Sequence, residues 1–477
     1  MVIRWMTAVA MVSLFSLFRL AAESRTSVQG KHSVAEDLEL DTNSDGMAMT
    51  SNCALEVAAA APWGDGANHI PLALESYPLF GEMEPEHMRK VPAPVRIRLG
   101  PKGTIHALTD ASFRQGGCVF IHHLDAKSRL FARTPVFPAN YHDTDESEIL
   151  DFAVDAVGQA YLIEHVQPRQ SNLPYNRLRK IGPAGDILWS HTGPISDEEF
   201  DFGSLKGSFT KLLMDGRSQL FLPATRHAGA IAKIDTATGA VEHIYTSDKF
   251  SSQVFINERG IVGFILYFPD LNRRGIGYLA TDDEKFSSFV GGTELYGLLL
   301  YPFGMDASSN LYVWNDGVIS RISPKAEIDQ IAAFDNIAVR PSDGAIFTSR
   351  SESGEGGLAT VFVESHCAGV RSTRGELRVP AELCLRHPTG WKLIHVDDRE
   401  RYIVFGGEEP GHAGTILIYS SSGNLVETAS PPVDLLSTES RLQSYAFWEV
   451  DAQGRIYLPI LDPQGFRVVR LSVKKKP

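Results

Sequence analysis

The chain has 477 residues, of which 43% are hydrophobic and 22% charged, and its formal net charge is −13. That hydrophobic share excludes wholesale disorder, and 41 Gly with 26 Pro fall short of a collagen-like or low-complexity composition. An acidic balance without a long Lys/Arg run excludes a protein that tracks nucleic acid through a basic face.

The N-terminus opens with Arg4, an apolar stretch from Trp5 to Phe18, and then Arg19-Leu20-Ala21-Ala22-Glu23. Fourteen helical residues span about 21 Å, short of a hydrocarbon core of ~30 Å. A basic start, a short apolar run and small residues before an acid predict a signal peptide over residues 1–22, cleaved after Ala22. Its alternative, a retained anchor, is disfavoured by that length. The expected location is therefore periplasmic or extracellular. Nowhere later do 18 apolar residues run together, so no membrane span is expected in the mature chain.

Residues 23–70 read as a polar, disordered linker. Within it, Asp41-Thr42-Asn43-Ser44-Asp45-Gly46 has the oxygen spacing of half a calcium loop. The loop's closing Glu is replaced by Asn52, and its β-branched apolar eighth residue by Ala48, so the hexapeptide reads as a solvated turn. Four cysteines (Cys53, Cys118, Cys367, Cys384) allow three pairings. In an exported chain Cys367–Cys384 is the favoured disulfide because it closes a short loop; four separate thiols are the alternative.

From residue 95 onward one phrase recurs: an apolar residue, Asp or Asn, two or three turn residues, and an apolar run with an aromatic. Examples are Val154-Asp155 to Tyr161, Met214-Asp215 to Phe221, Met305-Asp306 to Tyr312 and Val450-Asp451 to Tyr457. Aligned on the Asp position, eight copies fall at 100, 155, 215, 257, 306, 341, 397 and 451, a mean spacing of about 50 residues that signals a repeat architecture. The phrase is a strand, a tight turn and a second strand, because Asp or Asn before Gly caps a turn that needs positive φ. Further hairpins follow at Asp235 to Gly239 and Ser420 to Gly423, giving about four short strands per unit. A lone four-stranded sheet cannot bury both faces, so the units must stack radially. The predicted fold is an all-β propeller over residues 71–477, eight four-stranded blades with seven as the fallback, and a strand within Pro71–Phe80 completing the last blade. The aromatics at Tyr161, Phe221, Tyr312, Phe347 and Tyr457 share one repeat position and are assigned to packing between blades.

The phrases from Val450 to Leu458 and from Met305 to Ile322 resemble NHL-type repeats and the related gluconolactonase-like and lyase-like propellers. This resemblance implies a fold; such propellers host both binders and enzymes, so it implies no activity. No residue set matches the metal ligands of the gluconolactonase-like enzymes.

Loops between blades, and those after each second strand, leave a propeller on one face, and loops carry function more often than scaffold does. One sector of that face collects His142, Asp143, Asp145, Glu164, His165, Glu198 and Asp201. Carboxylates and imidazoles together suit a divalent cation or a cationic ligand, whereas a solvated acidic rim is the bland alternative. Glu164-His165 is the sharpest point, since it directly follows an apolar strand. Arg226, His227, Trp314 and Arg350 are secondary candidates on the same face, with Trp448 and Glu449 further round. No nucleophile elbow, His-Glu-x-x-His or phosphate loop is present. The expected function is an exported binding module, monomeric, for a protein, carbohydrate or small-molecule ligand. A metal-dependent lactonase-like hydrolase or lyase at the channel mouth is the alternative.

Overall fold

In a computed structural model the described residues run from Cys53 to Val473, apart from 65–68, 71–72, 77–87, 92–94, 101–102, 110–119, 126–129, 137–145, 168–174, 193–210, 225–229, 247–253, 269–272, 283–284, 291–300, 316, 326, 355–357, 368–369, 385–389, 407–413 and 430–439. The expected signal peptide and the calcium-like hexapeptide lie outside them. Among the described residues the helical pieces are short, Ala381–Cys384 and the 3₁₀ turn Tyr445–Phe447. No helix there is long and apolar enough to cross a membrane.

The architecture is all-β, with eight four-stranded antiparallel sheets as expected. Seven are consecutive meanders, at residues 95–135, 146–192, 213–246, 254–290, 301–333, 336–378 and 392–429. The eighth is composite. Its three inner layers come from the C-terminal residues 441–473, and its outermost strand is Cys53–Pro62, paired antiparallel with Gly465–Val473. This corrects the boundary of the linker, because residues 53–62 belong to the propeller. It also corrects the closing strand: within Pro71–Phe80, Ala73–Ser76 pairs instead with Met88–Val91 as a separate hairpin. Cys53–Pro62 escapes a hydropathy reading because half of it is alanine, yet Leu55, Ala59 and Ala61 are all buried. A bulge between Val57 and Ala59 turns Leu55 toward one side of the sheet and Ala59 and Ala61 toward the other.

The recurring phrase is a side-chain-capped hairpin. At Asp155, Asp215, Asn257, Asp306, Asp397 and Asp451, Oδ1 accepts from the backbone N–H groups two and four residues on. Where the sixth following residue is Tyr, its hydroxyl donates to the other carboxylate oxygen, at 3.2 Å for Tyr161, 3.1 Å for Tyr312 and 3.1 Å for Tyr457. Where that residue is Phe221, Arg217 Nε donates to Asp215 instead, at 3.2 Å. All five repeat aromatics are buried, as their packing role requires.

The turn's fourth position has positive φ in these copies. Gly158, Gly260 and Gly454 fill it in three, but Ser218 (φ 61°), Ser309 (φ 61°) and Glu400 (φ 58°) adopt the same left-handed conformation at a steric cost. Ser218→Gly relieves ~1–2 kcal/mol of that cost and adds ~0.5–1 kcal/mol of chain entropy to the unfolded state, so a net gain of about 0.5–1 kcal/mol is expected. A higher urea midpoint at unchanged slope is the measurement; a lower midpoint refutes the strain argument.

Six of the eight sheets surround a channel. Contacts between innermost strands run in order through the first five sheets and then pass from Tyr301–Met305 directly to Glu449–Val450 of the composite sheet, which touches the first sheet in turn. Gly304 lies against Val450, where a Cβ would meet its Cγ2 at 2.5 Å. The Ala307 N–H donates to the Ala452 carbonyl at 3.2 Å, repeating the Gly216-to-Glu258 bond (3.1 Å) between the third and fourth sheets. The sixth and seventh sheets stand outside this ring. The sixth packs on the composite sheet through Ile337, Val339 and Ile346, in the core that also takes Phe303, Tyr312 and Trp448. Asn336 ties that junction, its Nδ2 donating to the carbonyls of Leu393 (2.5 Å) and Ser440 (3.1 Å) and its Oδ1 accepting from the Leu442 N–H (3.1 Å).

The composite sheet serves both neighbours because its inner strand is broken. Arg441–Leu442 pairs beside the sixth sheet, Glu449–Val450 lines the channel, and the 3₁₀ turn bridges them. Gln443 in the break closes the ring: its amide donates to the Val95 carbonyl (3.1 Å) and accepts from the Val95 N–H (2.9 Å), copying a ladder pair.

The expected disulfide is absent. Cys384 is a free, buried thiol that accepts from the Ala359 N–H at 3.2 Å. Cys367 ends the strand Ala359–Cys367, eight residues and about 26 Å further along at ~3.3 Å per residue. A disulfide needs Cα atoms within about 7 Å, so the two ends of that strand cannot share one partner.

Candidate functional site

Glu164 and His165 occupy consecutive positions of the strand Ala160–Gln167, so their side chains leave opposite faces of the sheet. They do not converge. Glu164 shares a face with Leu162, which packs toward the first sheet, and is fully buried there. Arg177 Nε donates to its Oε2 at 2.7 Å, and Arg179 Nη2 holds Oε1. Register explains the trio: Arg177 sits opposite Glu164, and Arg179 is two residues on, on the same face. His165 lies on the side of Tyr161 and Ile163, where its Nδ1–H donates to Asn176 Oδ1 at 2.9 Å.

The strand is the second from the axis, so neither side chain faces the channel. Glu164 is therefore one member of a buried Arg–Glu–Arg cluster. Glu164→Ala would remove the carboxylate that both guanidinium groups meet and should destabilise the fold by about 3–5 kcal/mol, read from urea unfolding. Native-like stability in that variant would show the cluster to be dispensable.

His142, Asp143, Asp145, Glu198, Asp201, Arg226 and His227 lie outside the described residues. Trp314 is half-buried and stacks on Tyr445 with ring centroids 5.7 Å apart and planes at 17°. Arg350 belongs to the sixth sheet, outside the ring, with Nε 3.8 Å from Glu352 Oε1. Among the described residues, no three His, Cys, Asp or Glu gather as metal ligands would.

What the fold does assemble is a charged layer across the channel, built from Arg98, Asp151, Lys211 and Glu449. They come from the innermost strands, or the residues just before them, of the first, second, third and composite sheets. Arg98 is saturated. Its Nε donates to the Phe152 carbonyl (2.9 Å), Nη1 to the Ile97 carbonyl (2.8 Å) and Glu449 (2.6 Å), and Nη2 to both Asp151 oxygens (2.5 Å to Oδ2). Asp151 also accepts from the Leu212 N–H at 2.6 Å, so it joins three sheets. Lys211 spans the channel, with Nζ 3.3 Å from Glu449 Oε1 and 3.2 Å from the Phe303 carbonyl. Burial lowers the Arg98 pKa, but Asp151 and Glu449 more than restore it, and the net shift is upward. For Lys211 the balance reverses: burial outweighs Glu449, Arg98 adds to the lowering, and the pKa falls.

This layer forms part of the wall of a small open cavity that Leu99, Val154, Met214, Phe255, Ile256, Phe303, Met305 and Val450 also line. Many of these end an innermost strand, so the cavity lies toward the capped hairpins and away from the loops singled out from sequence. A local signal for the charged layer was legible: Arg98, Asp151, Lys211 and Glu449 each stand two or four residues before an aligned turn position. An innermost strand surrounded by other strands has little reason to hold a charge except to meet another one.

No family model and no curated protein matches the chain. Solved propeller structures do. A virginiamycin B lyase from Staphylococcus aureus, determined with quinupristin, shares 15% identity over 69% of this chain and 96% of its own, with a TM-score of 0.29. BamB from Moraxella catarrhalis shares 14% over 81% and 95%, TM-score 0.31. The Dos1 propeller shares 11% over 80% and 93%, TM-score 0.34. These likenesses concern the propeller fold, and no residue or activity is carried across. The NHL-type and gluconolactonase-like resemblance remains one of short phrases.

Proposed function

We propose that this chain is an exported binding module whose receptive surface is the channel and the loops around it. The observation that carries the reading is where three carboxylates of its inner strands are spent. Glu164 is held by two guanidinium groups, Asp151 by Arg98 and a backbone N–H, and Glu449 by Arg98 and Lys211. Such groups fix the register of neighbouring sheets, whereas a general acid or base must be able to exchange its proton with substrate. A ring of sheets around an open, partly apolar cavity then suits recognition.

The test is differential scanning fluorimetry of the purified protein against small organic acids, amines, neutral sugars, short peptides and the divalent cations calcium, zinc and manganese. A binding module should give one class whose Tm shift grows with concentration as binding linkage requires, with the ligand recovered unchanged by NMR. Turnover of that ligand would move the assignment to an enzyme, and no shift from any class would remove the reading. Export rests on the N-terminal stretch; protein recovered from cells should begin near Glu23, and soluble protein retaining Met1 would contradict it.

A further inference from the structure

We propose that the channel cavity binds a small organic anion with an apolar body, a monocarboxylate whose head meets Lys211 and whose body lies along Phe255, Phe303 and Met305. This rests on the binding-module reading and names its ligand class. In the charged layer two cations, Arg98 and Lys211, balance two carboxylates, Asp151 and Glu449; of the four, Arg98, Lys211 and Glu449 line the cavity. Arg98 has already committed its donors to Asp151, Glu449 and two backbone carbonyls, and offers an entering molecule no free donor.

Lys211 differs. An ammonium has three donors, and among the described residues two acceptors meet it, Glu449 and the Phe303 carbonyl. Glu449 is shared with Arg98, which takes the shorter bond at 2.6 Å against 3.3 Å. The downward shift of the Lys211 pKa agrees with a cation that its surroundings compensate incompletely. A carboxylate delivered to the spare donor would complete that compensation. The Phe255 ring, 5.4 Å from Nζ, already lies beside the ammonium, so an aromatic or alkyl body attached to the carboxylate meets apolar wall at once. An amine of the same shape would bring a second ammonium against Lys211, and a neutral amide would gain the wall without the charge.

The experiment titrates wild-type protein with 3-phenylpropanoate, 3-phenylpropanamide and 3-phenylpropylamine, following heat of binding and Tm. The carboxylate should saturate at millimolar concentration and bind at least tenfold more tightly than either analogue. Lys211→Met, which leaves Glu449 paired with Arg98, should reduce its affinity at least tenfold. Lys211→Gln, able to keep the bond to the Phe303 carbonyl, repeats the test should the methionine variant fold poorly. Equal binding of all three probes would reduce the cavity to an apolar hole and overturn the proposal. So would carboxylate binding that survives both substitutions, or none in wild type. If the carboxylate fails while another ligand class gives a saturable shift, the anion assignment falls and the binding module stands; if no class binds, both fall.

Discussion

Lowering the pH from 7.5 to 5.0 should destabilise the protein by about 4–6 kcal/mol, through three buried histidines of the first sheet. His106 and His123 sit opposite one another on adjacent strands, with their Nδ1 atoms 2.6 Å apart sharing one proton, and His123 Nε2 is 2.9 Å from Thr134 Oγ1. His122 is fully buried on the other face, and neither ring nitrogen has a hydrogen-bond partner among the described residues. Burial is the main cause holding all three pKa values down, to about 3 for His106, about 3 for His122 and about 4 for His123. The charge of His123 adds to the effect on His106, and those of Arg133 and His123 to that on His122.

The sign follows from which state binds the proton. In the unfolded chain each imidazole titrates near 6.5, well above its folded value, so acid favours unfolding. The stability is whole above pH 6.5 and is lost progressively toward pH 3–4. At ~1.4 kcal/mol per pH unit per group, the step from 6.5 to 5.0 costs about 2 kcal/mol for each histidine, less for the coupled pair. That window lies above the carboxylates' own titration, so histidine dominates it. Urea midpoints at the two pH values measure the loss, and His122→Leu should remove about a third of it. Equal midpoints at pH 7.5 and 5.0 would show that the imidazoles are not held neutral by the fold.

Deleting Cys53–Pro62 should abolish folding altogether. The strand pairs with nine residues of Gly465–Val473, supplies Leu55 to the core shared with the fifth and sixth sheets, and supplies Ala59 and Ala61 to the core shared with the first. Without it, the neighbouring strand becomes an open edge and both cores are exposed, a loss beyond the roughly 5–15 kcal/mol that stabilises a whole domain. Insoluble or unfolded product by circular dichroism is expected. A soluble, cooperatively melting protein would mean that the ring closes without this strand, a result that a deletion of the separate hairpin at 73–91 should give.

The same strand shows where sequence reasoning stopped. Val154-Asp155 to Tyr161 and its copies were legible because each turn is solved locally: a carboxylate two residues from one N–H and four from another needs no distant partner. Ala58 to Ala61 carry no such signal. Small side chains look like linker, and only a bulge and two neighbouring sheets make them core.

The Glu164-His165 pair shows a second limit. Adjacency in a strand places two side chains on opposite faces, and the arginines that claim Glu164 stand 13 and 15 residues away. Arg98, Asp151, Lys211 and Glu449 could be suspected one at a time from their positions before the turns. Their meeting could not, since Arg98 and Glu449 are 351 residues apart.

What this sequence determined by itself is the unit and its number: a capped hairpin, a second hairpin and eight four-stranded sheets, because hydrogen bonds over four to six residues and alternating burial specify each one. What only the tertiary structure decided is how the sheets meet. Six close on a channel while the sixth and seventh lie outside it, because Gly304 lets Val450 approach, Gln443 stands in for a ladder pair at Val95, and the broken inner strand of the composite sheet offers a separate edge to each neighbour. Repeat periodicity is blind to that choice, since the same capped turn recurs at Asp397 outside the ring and at Asp451 on it.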